Sequence, residues 1–458
     1  MNSFRDRGFR TELSTTLKLA TPLALGQLAQ IGMMLTDTIM LGALGESAIA
    51  VGGLSGSLYF TLAMILQGPA GSLGILISHA RGAATPERIA PVMRGAFVIS
   101  TLAIVPLALA LWFIEPLLIA IGEPAELASG IADFVRVLLI GVPAMMWLGA
   151  QRLFLAAMDH PRIVMSVSFG GLLLNAVLNY GLIHGNLGMP QLGILGSATA
   201  TTITTWSMML VTLGLIKVSP SLSRFVALGR VDISIVRELF ALGWPIAVTF
   251  AVEALLFLSS GLMMGILGAT ALAAHQVALN VASTTFMIPM ACAQAANVRV
   301  GYRIGAGDPR GARVAGFAAF TLGVGFMALA ALVMLAAPER LAMLFNLDPA
   351  NPRDTAVVAL IVDMMLIAAC FQVFDGAQCI AIGALRGLKD TRTPMWMAGL
   401  GYWGIGFLAA LVLGFAVEGG PAGIWLGLAL GLAVVAVIVS ARFLKLTEAM
   451  IIRTEQSA

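Results

Sequence analysis

Twelve apolar stretches, each long enough to cross the hydrocarbon core of a bilayer, follow one another through this chain with only short polar breaks. They cover 16–41, 48–78, 89–113, 130–157, 161–184, 193–217, 235–264, 271–300, 312–336, 354–385, 394–416 and 421–445. Hydrophobic residues make up 59% of the 458 and charged residues 11%, with a mean hydropathy of +0.96. Soluble domains carry about 25% charge, so such a chain would expose too much apolar surface in water. The expected fold is an all-α integral membrane protein. The longest polar break, 218–234, marks a division into an N-terminal six-helix lobe, 1–227, and a C-terminal six-helix lobe, 228–458.

Where the charge sits sets an orientation. All but three of the 26 Lys and Arg residues fall at the N-terminus, in alternate breaks or in the tail. The exceptions, Arg136, Arg340 and Arg353, share the remaining breaks with Glu46, Glu115, Glu123, Glu126, Glu339 and Glu418. The positive-inside rule then places both termini in the cytoplasm, which requires an even number of spans. The N-terminus, although basic, runs into a full-length span without a cleavage signal and reads as a retained first helix. No basic cluster is interleaved with aromatics, which argues against nucleic acid as a partner. HExxH, GxSxG and Walker signatures are absent, so the chain reads as no enzyme and as no ATP-driven pump.

An internal repeat organises the chain further. At an offset of 223, Leu242 and Pro245 fall on Leu19 and Pro22, Gly265 on Gly42, Met287-Ile288 on Met64-Ile65, and Pro309 on Pro86. Farther on, Gly376-Ala377-Gln378 repeats Gly149-Ala150-Gln151 at an offset of 227. Two six-helix bundles of one topology imply a pseudo-two-fold along the membrane normal.

Few acids lie within the spans. Asp37 stands toward the outer end of the first, Glu253 near the middle of the seventh, Asp375 near the middle of the tenth, and Asp363 closer to the outer boundary. An intramembrane carboxylate costs about 2.5–3.5 kcal/mol on insertion scales and marks a functional site by default. No Lys or Arg is expected at comparable depth, so the partners of Asp37, Glu253 and Asp375 are expected to be polar side chains, water or a bound cation. The acids break the repeat: Glu253 falls on Gln30, Asp37 on Ser260 and Asp375 on Leu148. Asn175 and Asn179 share one helical face, and Thr199, Thr201, Thr202, Thr204 and Thr205 crowd the sixth span. Oxygen ligands of this kind suit a hard cation such as Na⁺, while Asn and Thr also serve as hydrogen-bonding glue between membrane helices. His275 reads as an ordinary polar contact, and Cys292, Cys370 and Cys379 as buried free thiols.

The segments TDTIMLGALG, NVRVGYRIGAGDPRGAR and DGAQCIAIGALRGLKDTRTPM carry a resemblance to the multidrug and toxic compound extrusion (MATE) family, particularly its NorM-type branch, over nearly the whole length. The resemblance implies cation-coupled efflux of amphipathic, often cationic, compounds by alternating access across the bacterial inner membrane, by a monomer. It implies no cofactor beyond a coupling ion, Na⁺ or H⁺. The family's N-lobe acid matches Asp37, with Asn175, Asn179 and Thr201 as its companions. The C-lobe cation-binding pair matches Glu253 and Asp375. Na⁺ would be held at either set. One departure is Phe371, where relatives often carry Tyr one turn before the tenth-span acid. A flippase for a lipid-linked or amphiphilic precursor is the alternative.

Overall fold

The computed structural model describes residues 2–457 apart from 121, 228, 346, 348–350, 352 and 353; the side chains of 2–7 and 457 are not described, so of the charge pattern Arg353 and the side chains of Arg5 and Arg7 fall outside the description. The described residues are almost all helical and contain no strand. In chain order the helices are α1 (Asn2–Gly42), α2 (Glu46–Leu66), α3 (Gly68–Gly82), α4 (Ile89–Trp112), α5 (Ile114–Ala120), α6 (Ala125–Leu139), α7 (Val142–Ala157), α8 (Pro161–His184) and α9 (Ile194–Val218). The second half continues with α10 (Ile233–Leu267), α11 (Ala269–Gly305), α12 (Pro309–Ala336), α13 (Pro338–Met343) and α14 (Thr355–Gly387). It ends with α15 (Arg392–Ala416) and α16 (Gly420–Ser457). Eleven helices among the described residues are long and apolar enough to span, and the bent pair α6–α7 makes a twelfth. The chain is a multi-pass membrane protein, as the apolar stretches predict.

Two stretches read as single spans are broken. The 48–78 stretch divides at Gln67, just before Gly68-Pro69, where the proline has no N–H to give to the carbonyl of Ile65. The 130–157 stretch bends by 56° between α6 and α7, at Gly141-Val142-Pro143. Backbone carbonyls at a bend gain from side-chain donors, and at the α6–α7 bend α9 supplies two. Thr202 donates to the Val137 carbonyl at 3.2 Å, and Trp206, one turn on, donates to that of Ile140 at 2.9 Å. The Val137 carbonyl also accepts from the Ile140 N–H at 3.3 Å.

The chain packs as two compact units. The first comprises Leu25–Ala80 and Thr85–Ala247; the second comprises Met1–Ala24, Arg81–Ala84 and Val248–Ala458. Relative to the 227/228 division, the start of α1 belongs with the later helices and the start of α10 with the earlier ones. Within the first unit, the start of α3 meets the start of α10 with almost no intervening side chain. A Cβ on Gly68 would stand 2.4 Å from the Ala247 nitrogen, and one on Gly243 would stand 2.4 Å from Pro69 Cα. Ser72 donates to the Leu239 carbonyl at 2.8 Å across the same seam.

In the second unit, small residues let α15 and α16 touch along their backbones, as expected where lipid offers no hydrophobic drive. Gly423, Gly427 and Gly431 recur every four residues on α16 and face Gly406, Ala410 and Gly414 on α15. Beside this seam, α15 is π-helical over Leu400–Phe407 and again over Val412–Ala416. Such wide turns are often found at functional sites.

Candidate functional site

Asp37 lies in the last two turns of α1, half-buried in the first unit. Asn179 Nδ2 donates to its Oδ1 at 2.6 Å, and Thr201 Oγ1 donates to its Oδ2 at 3.1 Å. Asn175, one turn before Asn179 on α8, is fully buried and points its Nδ2 at the Thr201 hydroxyl, 3.5 Å away. The structure thus brings together the four residues singled out in this half of the sequence. Of the neighbouring threonines, Thr199, Thr202 and Thr205 bond to backbone carbonyls instead. Among the described residues every direct partner of Asp37 is neutral, and the buried Oδ1 atoms of Asn175 and Asn179 have no partner. Two unspent amide oxygens beside a carboxylate form a donor set that fits a hard monovalent cation.

The second unit builds its site differently. Asp375 is buried on α14; Gln378 Nε2 donates to its Oδ1 at 2.9 Å, and the Tyr402 hydroxyl donates to Gln378 Oε1 at 2.6 Å. Glu253 on α10 makes no direct hydrogen bond or ion pair with a described residue, yet its charge and that of Asp375 are close enough to act on each other.

One sequence expectation is overturned here. Arginines do lie at depth: the charge of Arg386 acts on Glu253, and its guanidinium stands 5.1 Å from the centroid of Phe250, one turn before Glu253. Arg152 is the other, in the first unit. Helix α14 runs to Gly387 instead of stopping at 385, so Arg386 lies inside its last turn. No ion pair closes between Arg386 and Glu253, so the acid is influenced by the base without being locked to it. Glu12 shows the locked case. Buried at the start of α1, it accepts from Arg299 at 2.9 and 2.7 Å and from Arg303 at 3.3 Å.

Tyr402 and Gln378 escaped sequence reasoning, although Gln378 belongs to the repeated Gly-Ala-Gln and Tyr402 is one of only four tyrosines. Phe371 is closed into an aromatic stack, edge-on to Phe257 at 6.4 Å and to Trp425 at 5.8 Å. Trp425 Nε1 in turn donates to His275 Nδ1 at 3.2 Å, which makes His275 the polar contact expected of it. Asp363 is exposed. The cysteines are free, but only Cys292 is buried; Cys370 is exposed on α14 and Cys379 is intermediate, because the helical period turns some apolar positions outward.

Comparison with known proteins agrees with this architecture. The family model MatE matches residues 22–181 and again 245–412; the matches start 223 residues apart, the same offset as the internal repeat. The chain is 47% identical over 438 residues to "Multidrug resistance protein NorM" of Burkholderia vietnamiensis, covering 95% of this chain and 94% of that one. It is 37% identical over 448 residues to "Probable multidrug resistance protein NorM" of Mesorhizobium japonicum, covering 95% and 94%. Its fold is similar to the eukaryotic MATE transporter AtDTX14, with a TM-score of 0.85 at 23% identity over 97% of this chain and 100% of that one. It is similar also to the Vibrio cholerae MATE transporter VcmN, with a TM-score of 0.87 at 18% identity over 97% and 98%. Two matched halves and full-length relatives at such identity leave one assignment: the chain belongs to the MatE family of membrane transporters.

Proposed function

We propose that this protein is a cation-coupled multidrug efflux antiporter of the bacterial inner membrane, acting as a monomer with both termini in the cytoplasm. It exports amphipathic, often cationic, compounds by alternating access in exchange for Na⁺ or H⁺. The observation that carries the reading is Asp37, a carboxylate in the first span whose partners among the described residues, Asn179, Thr201 and Asn175, are all neutral. With no fixed base to neutralise it, a mobile cation or proton does so. The Glu253–Asp375 pair offers a second place for the coupling ion, since two acids acting on each other bind a shared cation more readily than either alone.

In the exchange, an external cation binds the acids and lowers the affinity for the bound compound, which leaves; the protein then turns inward, releases the ion and collects new substrate. Reciprocity requires that the compound weaken ion binding by the same factor. One inward charge at 100 mV supplies about 2.3 kcal/mol, roughly a fifty-fold gradient of exported compound. The test is ethidium transport in energised vesicles, with Na⁺ and pH jumps applied separately. Transport that responds to one of the two jumps supports the reading and names the ion. Transport that responds to neither defeats it.

A further inference from the structure

The first unit holds a permanent positive charge that its own side chains leave open. Arg152 stands in the second half of α7, within the bent span. Its Nη1 donates to Gln30 Oε1 on α1 at 2.8 Å, and its Nη2 donates to Ser168 Oγ on α8 at 3.3 Å. Both acceptors are neutral, and no carboxylate among the described residues pairs with it. A guanidinium carries five N–H donors, so three remain. The residue as a whole is half-buried among α1, α7 and α8.

Register places this group in relation to Asp37. Gln30 and Asp37 lie seven residues apart on α1, and Ser168 and Asn175 seven apart on α8, so each pair shares a face two turns apart, about 10 Å along the axis. The same two helix faces therefore hold a carboxylate among neutral donors at one level and a guanidinium among neutral acceptors at the next. The repeat shows that packing does not demand the charge. Arg152 falls on Cys379 at the 227 offset, and Gln30 falls on Glu253 at the 223 offset. Where the second unit carries an acid, the first carries an amide that accepts from a guanidinium.

We infer that Arg152, positioned by Gln30 and Ser168, is an anion subsite that takes the carboxylate of a zwitterionic amphiphile whose cationic end is read near Asp37. The subsite rests on the efflux reading above. The planar fork of arginine matches a carboxylate with two parallel hydrogen bonds, and an arginine within a span marks a substrate or ion path.

The test uses purified full-length protein and two dyes differing in one group: rhodamine 6G, an ester cation, and its free acid, a zwitterion. Binding is followed by fluorescence polarisation. R152Q is expected to weaken the free acid at least fivefold more than the ester, and R152K, which keeps the charge but not the fork, to fall between. In unaltered protein, benzoate is expected to displace the free acid at lower concentration than the ester; this arm stands even where R152Q fails to fold. Equal losses of both dyes in R152Q mark Arg152 as a helix tie only and overturn the subsite, as does benzoate that acts on both alike. Ester that binds while the free acid does not also overturns it, with the efflux reading intact. If neither dye binds the unaltered protein, both readings fall.

Discussion

In the first unit the chain interrupts its helices at Gln67-Gly68-Pro69 and at Gly141-Val142-Pro143; at the repeat-equivalent positions the second unit has Met290-Ala291-Cys292 and Ala368-Ala369-Cys370. There α11 and α14 run unbroken for 37 and 33 residues. A proline alone does not explain the contrast, since Pro289 sits inside α11 without interrupting it. Nor does Gly beside Pro, since Gly243-Trp244-Pro245 lies inside unbroken α10; at the α6–α7 bend the difference includes side-chain donors from α9. The polar sites diverge in parallel. The first unit keeps Asp37, the acid within its spans, among neutral amides and a hydroxyl, and sets Arg152 on a separate level. The second keeps two acids within reach of each other and of Arg386. A duplicated scaffold thus supports two different charge arrangements.

The largest effect expected from this contrast is at Asp37. Asp37→Asn should reduce ion-driven ethidium efflux to the level of vesicles lacking the protein, with the protein still present in the membrane. Glu253→Gln or Asp375→Asn should each leave a measurable fraction, because the neighbouring acid persists. Equal residual rates in all three would erase the distinction between the units. Next, Cys292→Pro together with Ala291→Gly transfers the first unit's Gly-Pro pair into α11. It should cost about 3 kcal/mol or more, seen as a fall of the melting temperature in detergent; an unchanged melting curve would show that the surroundings, rather than the Gly-Pro pair, decide where helices break.

Gly243→Ala sharpens the comparison from the other side. Its Cβ would meet Pro69 backbone at 2.4 Å, and a loss of about 1–3 kcal/mol is expected, again read from melting. The smallest effect is at Tyr402→Phe, which removes the donor to Gln378 and leaves Asp375 less firmly oriented. About 1 kcal/mol should appear as a roughly fivefold shift in the half-saturating concentration of the coupling ion. A comparable shift from Thr201→Val would show that one hydroxyl weighs equally in both units.

Much of this was legible in the chain because its physics is local. Apolar runs of about 20 residues have one way to satisfy their backbone in lipid, so spans and multi-pass architecture follow from hydropathy alone. The repeat offset reappears in the two family matches; Asp37 stands out as a carboxylate inside a span, and Asn175, Asn179 and Thr201 stand out beside it through the family resemblance. Other features depend on distance in space, which hydropathy does not encode. Arg386 acts on Glu253 from 133 residues away in sequence, Tyr402 reaches Asp375 through Gln378, and Glu12 is locked by arginines on α11. Length and polarity along the chain determined which segments enter the membrane and which acids stand out there. Only the packing of helices decided which of those acids meets a fixed charge, because a side chain's electrostatic environment is set by neighbours brought together by the fold.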